Sequence, residues 1–380
     1  MDFSWSSQQR ELFDAIGAFA SKELNDNLIA NDRAGVFNRA GWKKCGEIGI
    51  QGLAVPVEHG GTGQDPLTTV GALERLGYAC RDNGLVFSLN AHMWTACMPL
   101  VEFGTADQKR RYLPGLCSGD LVGGNAMSEP NSGSDAYGLR TTAVRKGDRY
   151  LLNGSKIFVS NGSEADVVVA FATVDRTRGP AGVSAFLVEK ASPGLSVGRK
   201  LEKMGLRTSP MAELFFDDCE VPAENRLGNE GAGPSLFTHA MTWERGCILA
   251  SAVGSMQRLL ETCVKYAKTR KQFGQSIGRF QLVGSKLVDM KLRLETARQM
   301  LYYGAYQRSL GRTALMEAAL AKLHISESWT RTCEDAIQIH GGYGYMTEYG
   351  IERELRDAIG SRLYSGTSEI QRNIIAALLL

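Results

Sequence analysis

The 380-residue chain predicts an α+β fold in which a β domain separates two helical domains. Three observations carry this reading. Apolar side chains recur at three-to-four spacing through the first third; short runs rich in Val, Phe, Tyr and Leu between turn residues replace them from about Leu121; and helical spacing returns in long segments after Gly231. No strand–helix alternation is present, which argues against a doubly wound sheet. The expected domains are residues 1–120 (helical), 121–230 (a β-barrel or sandwich) and 231–380 (a four-helix bundle).

The first helix is expected over 6–25, with Leu12, Phe13, Ile16, Phe19 and Leu24 on one face and Ser6 or Ser7 as its cap. Similar patterns run over Ala40–Ile48, Leu67–Tyr78, Leu85–Phe103 and Asp107–Cys117, interrupted by the turn-rich EHGGTGQDP. RYLLNGSK, DVVVAFATV, GVSAFLVEK and AELFFDDCEVP read as strands. Long helices follow over Pro234–Lys268, Phe280–Leu310 and Thr313–Ile339, and a last one starts at Ser368 with Thr367 or Ser368 as cap.

Composition is that of an ordinary globular protein, 43% hydrophobic and 22% charged. A formal charge of +2 gives no field to hold a polyanion, so nucleic acid is not an expected partner. The eight cysteines lack C-x-x-C or metal-ligand spacing and are expected reduced and buried, and no metal site is expected. The N-terminal stretch lacks the basic cluster and apolar core of a signal peptide, and no apolar run is long enough to cross a bilayer. A soluble cytoplasmic protein without a membrane partner is therefore expected.

Five polar, glycine-containing strings sit at the joints. NAMSEPNSGSD (125–135) crowds small hydroxyl residues and glycines, letting backbone amides and Ser128 or Ser134 approach a polar ligand. KIFVSNG (156–162) sets Phe158 near Ser160, a pairing that suits a flat heterocycle. RKQFGQSIGRFQ (270–281) offers a fixed cation, two amides and Phe273, fit for a phosphate and an adenine edge. QIHGGYG (338–344) ends a helix in adjacent glycines, and RLYSGTSEIQR spans 362–372. Taken singly these have plain structural readings: a surface turn, a strand end with a buried Phe, a charged loop, a C-cap. His340 reads as a packing residue.

Together the five strings resemble, in order, the signatures of the acyl-CoA dehydrogenase family: T-E-P-x-A-G-S-D, K-x-W-I-T-N-A, R-x-Q-F-G-x-x-I-x-x-F-Q, Q-x-x-G-G-x-G-Y and I-Y-E-G-T-x-E-I-Q-R. The resemblance covers essentially the whole chain and implies noncovalent FAD. By position, Asn125, Met127, Ser128, Gly133, Ser134, Phe158, Val159 and Ser160 are expected along the flavin ring and ribityl chain. Arg270, Phe273 and Gln281 are expected at the adenosine and pyrophosphate end, with Gln338, Gly341 and Gly342 reaching in from a second subunit and Thr367 and Glu369 closing it. A shared site implies a homodimer or homotetramer, and the family chemistry implies an acyl thioester substrate and an external acceptor such as an electron-transfer flavoprotein. Phe158 stands where the family usually has Trp, and Ser160 where it usually has Thr.

Ser365 occupies the place of the family's commonest catalytic base, the Glu of Y-E-G-T. A serine does not take an unactivated α-proton. In a minority branch the base precedes a family Arg on a helix, and that position here is Glu244, before Arg245 in MTWERGCILASAVG. The reading places Glu244 at the head of an apolar helix, where an acid also offsets the helix dipole. Burial beside Trp243 is expected to raise its pKa toward neutrality. Arg245, Ser134, Ser365 and Gly366 are expected to meet substrate, with the amide at 365 donating to the thioester oxygen. YSGTSEIQR with an upstream WER also looks like family members acting on acyl or aminoacyl groups tethered to carrier proteins in secondary metabolism, so CoA and a carrier protein both stand as tethers. The competing readings are a flavin oxidase or oxygenase of the same fold, and a flavin-binding scaffold without catalysis.

Overall fold

The chain begins and ends in helices because its apolar positions there fall on one helical face, and this computed structural model describes residues 4–380. The first part runs α1 (Ser7–Glu23), α2 (Leu28–Ala34), α3 (Arg39–Glu47), α4 (Pro66–Ala79), α5 (Asn83–His92), α6 (Met98–Phe103) and α7 (Ala106–Cys117). Ser6 starts α1 through a capping box with Gln9, and Asp65 caps α4 ahead of Pro66. The span expected as one helix from Leu85 to Phe103 is interrupted by a π-helical turn at Met93–Cys97, a distortion that apolar periodicity does not register.

The middle part is one hydrogen-bonded sheet: β1 (Gly123–Ala126), β2 (Thr142–Lys146), β3 (Arg149–Ser160), β4 (Val167–Thr173), β5 (Val183–Glu189), β6 (Leu195–Lys200), β7 (Met211–Pro222) and β8 (Arg226–Leu227). Its order is β6-β7-β3-β2-β4-β5-β8, with β1 parallel to β4 off that path. Bulges in β3 between Leu152 and Gly154 and between Lys156 and Val159 bend the strand. Tyr150, Leu152, Val168, Phe186 and Phe216 fill a core separate from the main one.

The last part comprises α8 (Gly233–Cys247), α9 (Ala250–Thr269), the short hairpin β9 (Lys271–Gln272) and β10 (Gln275–Ser276), α10 (Gln281–Ser309), α11 (Leu315–His340), α12 (Gly342–Tyr345), α13 (Ile351–Gly360) and α14 (Ser368–Leu379). The long helix expected from Pro234 to Lys268 is two helices, parted at Ile248–Leu249, and α2 and α13 were not anticipated. Helix α4 packs along α9 and α10. A Cβ on Gly77 would stand 2.1 Å from the Ser251 carbonyl oxygen, and one on Gly254 2.0 Å from that of Glu74, so the α4–α9 crossing requires glycine on both sides. Glu74 then receives Arg298 (Nε at 2.9 Å) and the Tyr302 hydroxyl (2.5 Å) from α10.

The three parts meet in a buried polar knot. Asn83 Nδ2 donates to Glu354 and Asp357, each at 3.0 Å; Asp357 accepts the Leu206 amide at 2.5 Å; and Arg258 pairs with Glu354 at 2.8 Å. All eight cysteines are buried and unpaired. Among the described residues no helix is long and apolar enough to cross a membrane, and no cluster of His, Cys, Asp and Glu is arranged to hold a metal ion.

Candidate active site

Glu244 lies in the last turn of α8, which ends at Cys247, and not at a helix head, which corrects the expectation drawn from the sequence. The physical consequence reverses as well. An acid at a helix C-terminus faces the negative end of the dipole, which disfavours its charged form. Its side chain is 6% exposed, and burial raises its pKa to about 7 against the opposing pull of Ser365, Arg245 and Lys322. Trp243 is stacked on Trp94 of the π-helical turn, with ring centroids 5.6 Å apart, and the Arg308 guanidinium covers Trp243 at 3.7 Å.

The second component is the turn between α13 and α14. Ser365 has φ +57° and Gly366 +89°, both left-handed. Arg245 Nε donates to the Ser365 carbonyl at 2.9 Å, Gln371 Nε2 to the Ser365 and Gly366 carbonyls at 3.1 and 2.9 Å, and Lys322 Nζ to the Gly366 carbonyl at 2.7 Å. With both carbonyls engaged, the Ser365 and Gly366 amides donate to no acceptor among the described residues. The Ser365 hydroxyl is buried without a partner of hydrogen-bond geometry, yet stands near enough to Glu244 to favour the carboxylate. A Cβ on Gly366 would lie 2.8 Å from Gln371 Nε2. Gly366→Ala is expected to cost about 1 kcal/mol or more of stability and to slow turnover; a melting temperature and rate equal to wild type would show that the turn tolerates another conformation.

The β-domain residues singled out from the sequence come together at the ends of β1 and β3. Asn125, from β1, sends Nδ2 to the Thr95 carbonyl at 3.4 Å, and Met127 follows the strand. The Ser128 carbonyl accepts the Ile157 amide at 2.9 Å, which joins the two strings. Gly133 and Ser134 are on an exposed loop. Phe158 has φ +58° and a ring 63% exposed, and Ser160 is half-buried beside it. The Val159 side chain lies in the β core, leaving only its backbone for a ligand.

Residues flanking these were not singled out, although the quoted strings contain them. Lys156, fully buried, bonds Glu129 Oε1 at 2.8 Å and the Met127 carbonyl at 3.0 Å. Glu129 also accepts the Arg140 and Thr141 amides at 2.6 and 2.9 Å. Burial pushes the Glu129 pKa up, but the Lys156 charge and these donors outweigh it and hold it below the usual value. Asn161 Nδ2 reaches the Ser88 and Gly123 carbonyls at 3.1 and 3.2 Å, tying the end of β3 to α5 and β1.

A second cluster forms at the far end of the bundle. Arg270 stands over the Tyr343 ring at 5.5 Å, Phe273 is 93% exposed and packs edge-on to Phe280 at 6.0 Å, and Gln281, Gln338, Gly341 and Gly342 are exposed around them. His340 is stacked on Tyr266 at 4.3 Å and bonded to the Ala336 carbonyl, a packing residue as expected. Within one chain no hydrogen bond or ring contact among the described residues joins this cluster to the one at β1 and β3. Thr367 caps α14 through the Ile370 amide at 3.3 Å, and Glu369 is exposed in its first turn.

The surface fits a large planar group carrying phosphates. The Phe158 and Phe273 rings lie in water without cover, and Gly133, Gly341 and Gly342 have no atom within 4 Å of where a Cβ would stand. Exposed planar platforms and a buried acid of near-neutral pKa, in an α–β–α chain, fit a flavin-dependent oxidoreductase. Comparison with known proteins agrees. Residues 6–120, 124–219 and 231–380 match the N-terminal, middle and C-terminal domain models of acyl-CoA dehydrogenase. The chain belongs to the acyl-CoA dehydrogenase family and is, with it, an FAD-dependent dehydrogenase of acyl thioesters. It is 42% identical to L-prolyl-[peptidyl-carrier protein] dehydrogenase of Pseudomonas fluorescens, over 99% of both chains. Among solved structures it is similar to the prolyl acyl carrier protein oxidase AnaB (52% identity, 99% of this chain and 100% of that one, TM-score 0.98). It is also similar to PigA with FAD and proline (41% identity, 100% and 99%, TM-score 0.97).

Proposed function

We propose that this protein dehydrogenates an L-prolyl group held as a thioester on a peptidyl carrier protein, with Glu244 as the base. The observation that carries the base assignment is the buried Glu244 carboxyl at the end of α8, facing a turn whose amides are unengaged. The prolyl substrate is supported by the two named prolyl enzymes and by the complex with proline among its relatives. Glu244 takes the α-proton; the Ser365 amide donates to the thioester oxygen as negative charge builds there. FAD, when bound, supplies the acceptor for the hydride that leaves the β-carbon, and a carbon–carbon double bond remains. Arg245 holds the turn, through the Ser365 carbonyl, and its charge also favours the Glu244 carboxylate.

Asn125, Met127, Ser128, Gly133, Ser134 and Phe158–Ser160 would hold the flavin ring and ribityl chain. Arg270, Phe273, Gln281 and Gln338–Gly342 would hold the adenosine end, brought to a neighbouring β domain by a second copy of the chain, with Thr367 and Glu369 closing the site. A homodimer or homotetramer is supported by the apolar side chains that α10 leaves in water, Leu282, Val288, Leu292 and Tyr303 among them. The cytoplasm is the proposed compartment.

Anaerobic mixing of the FAD-loaded protein with prolyl-carrier thioester is expected to bleach the oxidised flavin, while acetyl- or butyryl-CoA does so poorly. Bleaching by the acyl-CoAs alone would remove the prolyl assignment and leave the dehydrogenase. A second reading of the acceptor is favoured by the oxidase named among the relatives: the reduced protein passes electrons to dioxygen rather than to an electron-transfer flavoprotein. Hydrogen peroxide formed in step with substrate oxidation decides between them.

A further inference from the structure

Three elements converge on the Ser365–Gly366 turn, and the contribution from α11 is the unexpected one. Lys322 is 0% exposed, forms no ion pair among the described residues, and spends its ammonium on the Gly366 carbonyl at 2.7 Å. Its neighbours along α11, Ala318, Ala319, Ala321 and Ile325, are apolar and buried, so an apolar side chain would suit packing alone. Burying an ammonium without a contacting carboxylate is strongly unfavourable, so its presence calls for a compensating role.

The charged groups around it can be named element by element. Glu244 and Arg245 face it from α8, Glu327 from α11 itself and Glu369 from α14, while Tyr364 and Ser365 stand at the turn beside Glu244. Glu327 is engaged by Arg362 at 3.1 Å and by the Ser368 hydroxyl at 2.7 Å, and Glu369 is exposed. The carboxylate left to respond to Lys322 in a water-poor interior is Glu244.

We propose that Lys322 is a positioning residue for the dehydrogenation: its ammonium fixes the turn through the Gly366 carbonyl, and its charge adds to what favours the carboxylate form of Glu244, the form that takes the α-proton. This rests on the assignment of Glu244 as the base. Burial, and then Arg245, bring the Lys322 pKa down to about 8, while that of Glu244 is raised to about 7. Of the groups that favour the Glu244 carboxylate, Lys322 acts after Ser365 and Arg245, so loss of its charge is expected to push that carboxyl further up.

The test is the pH dependence of flavin reduction by the thioester in the FAD-loaded wild type, Lys322→Met and Lys322→Gln. Gln keeps a donor for Gly366 without the charge; Met keeps neither. Wild type is expected to give a bell. Both variants should lose the falling limb and shift the rising limb upward by roughly half a pH unit, about threefold in rate on that limb. Met should add a pH-independent loss. A readout without turnover is the pH at which thermal stability responds to Glu244, which should move up by the same amount in both variants. Variants that are slower or less stable at every pH, with wild-type profile shapes, would assign Lys322 to packing and overturn the proposal. If Met fails to fold, the Gln variant alone decides. Should Glu244→Gln reduce flavin at the wild-type rate, the base assignment falls instead, while the stability shift still reports whether Lys322 and Glu244 are coupled.

Discussion

Glu244→Gln is expected to bind FAD as wild type does and to reduce it with thioester at least about 10²-fold more slowly, the low end for loss of a general base. The amide matches the acid in shape, so the wall of Trp243 and Trp94 and the turn at Ser365 stay in place. In wild type the same rate should rise with pH through about 7, since only the carboxylate accepts the proton. The sign for stability is opposite. The folded-state pKa is raised above 4.5, so the stabilisation from this group is fully present below pH 4.5 and is lost as pH rises through about 7. Glu244→Gln never ionises and escapes that loss, so by pH 8 it should be more stable than wild type by up to about 3 kcal/mol. Melting temperatures compared at pH 4 and pH 8 check this without any substrate. A variant with unchanged reduction rate would clear Glu244 of the role.

Lys156→Met should have the largest structural effect, about 3–5 kcal/mol of destabilisation, because Glu129 is then left charged and buried without its partner. The loop from Ser128 to Ser134 hangs on that pair and on the bond from Ile157 to Ser128, so FAD retention should fall with it. Adding Glu129→Gln to the same chain should recover part of the stability, since the unpaired charge is gone and the one amide oxygen still accepts the Thr141 amide, while the Arg140 amide, which donates to the other carboxylate oxygen, loses its acceptor. Glu129 has a depressed pKa, so its contribution is present above 4.5 and is lost as pH falls below it, the reverse of Glu244. Melting temperature and FAD titration measure both effects; a single variant as stable as wild type would show that the pair merely fills space.

Much of the fold was legible because its signals are local. The cap at Ser6, the Asp65–Pro66 start and the Thr367 cap each act within three residues, and the three-to-four spacing of apolar side chains is written along the chain. The break at Ile248–Leu249 was not legible, since an apolar run reads through a kink as easily as through a helix. The parallel pairing of β1 with β4 joins residues more than forty apart, and nothing local records it. Helix α13 carries an apolar face at Ile351, Leu355 and Ala358, a signal that is local and present in the sequence.

Sequence by itself determined the order of helical and β parts, the five polar strings and the presence of an acid ahead of Arg245, because each is a property of neighbouring residues. The tertiary structure decided the rest. It put that acid at the negative end of its helix, set Lys322 of α11 against the turn that faces it, and paired Lys156 with Glu129 under the Ser128–Ser134 loop. Those outcomes depend on desolvation and on charges brought close by folding, quantities that exist only once distant segments have packed.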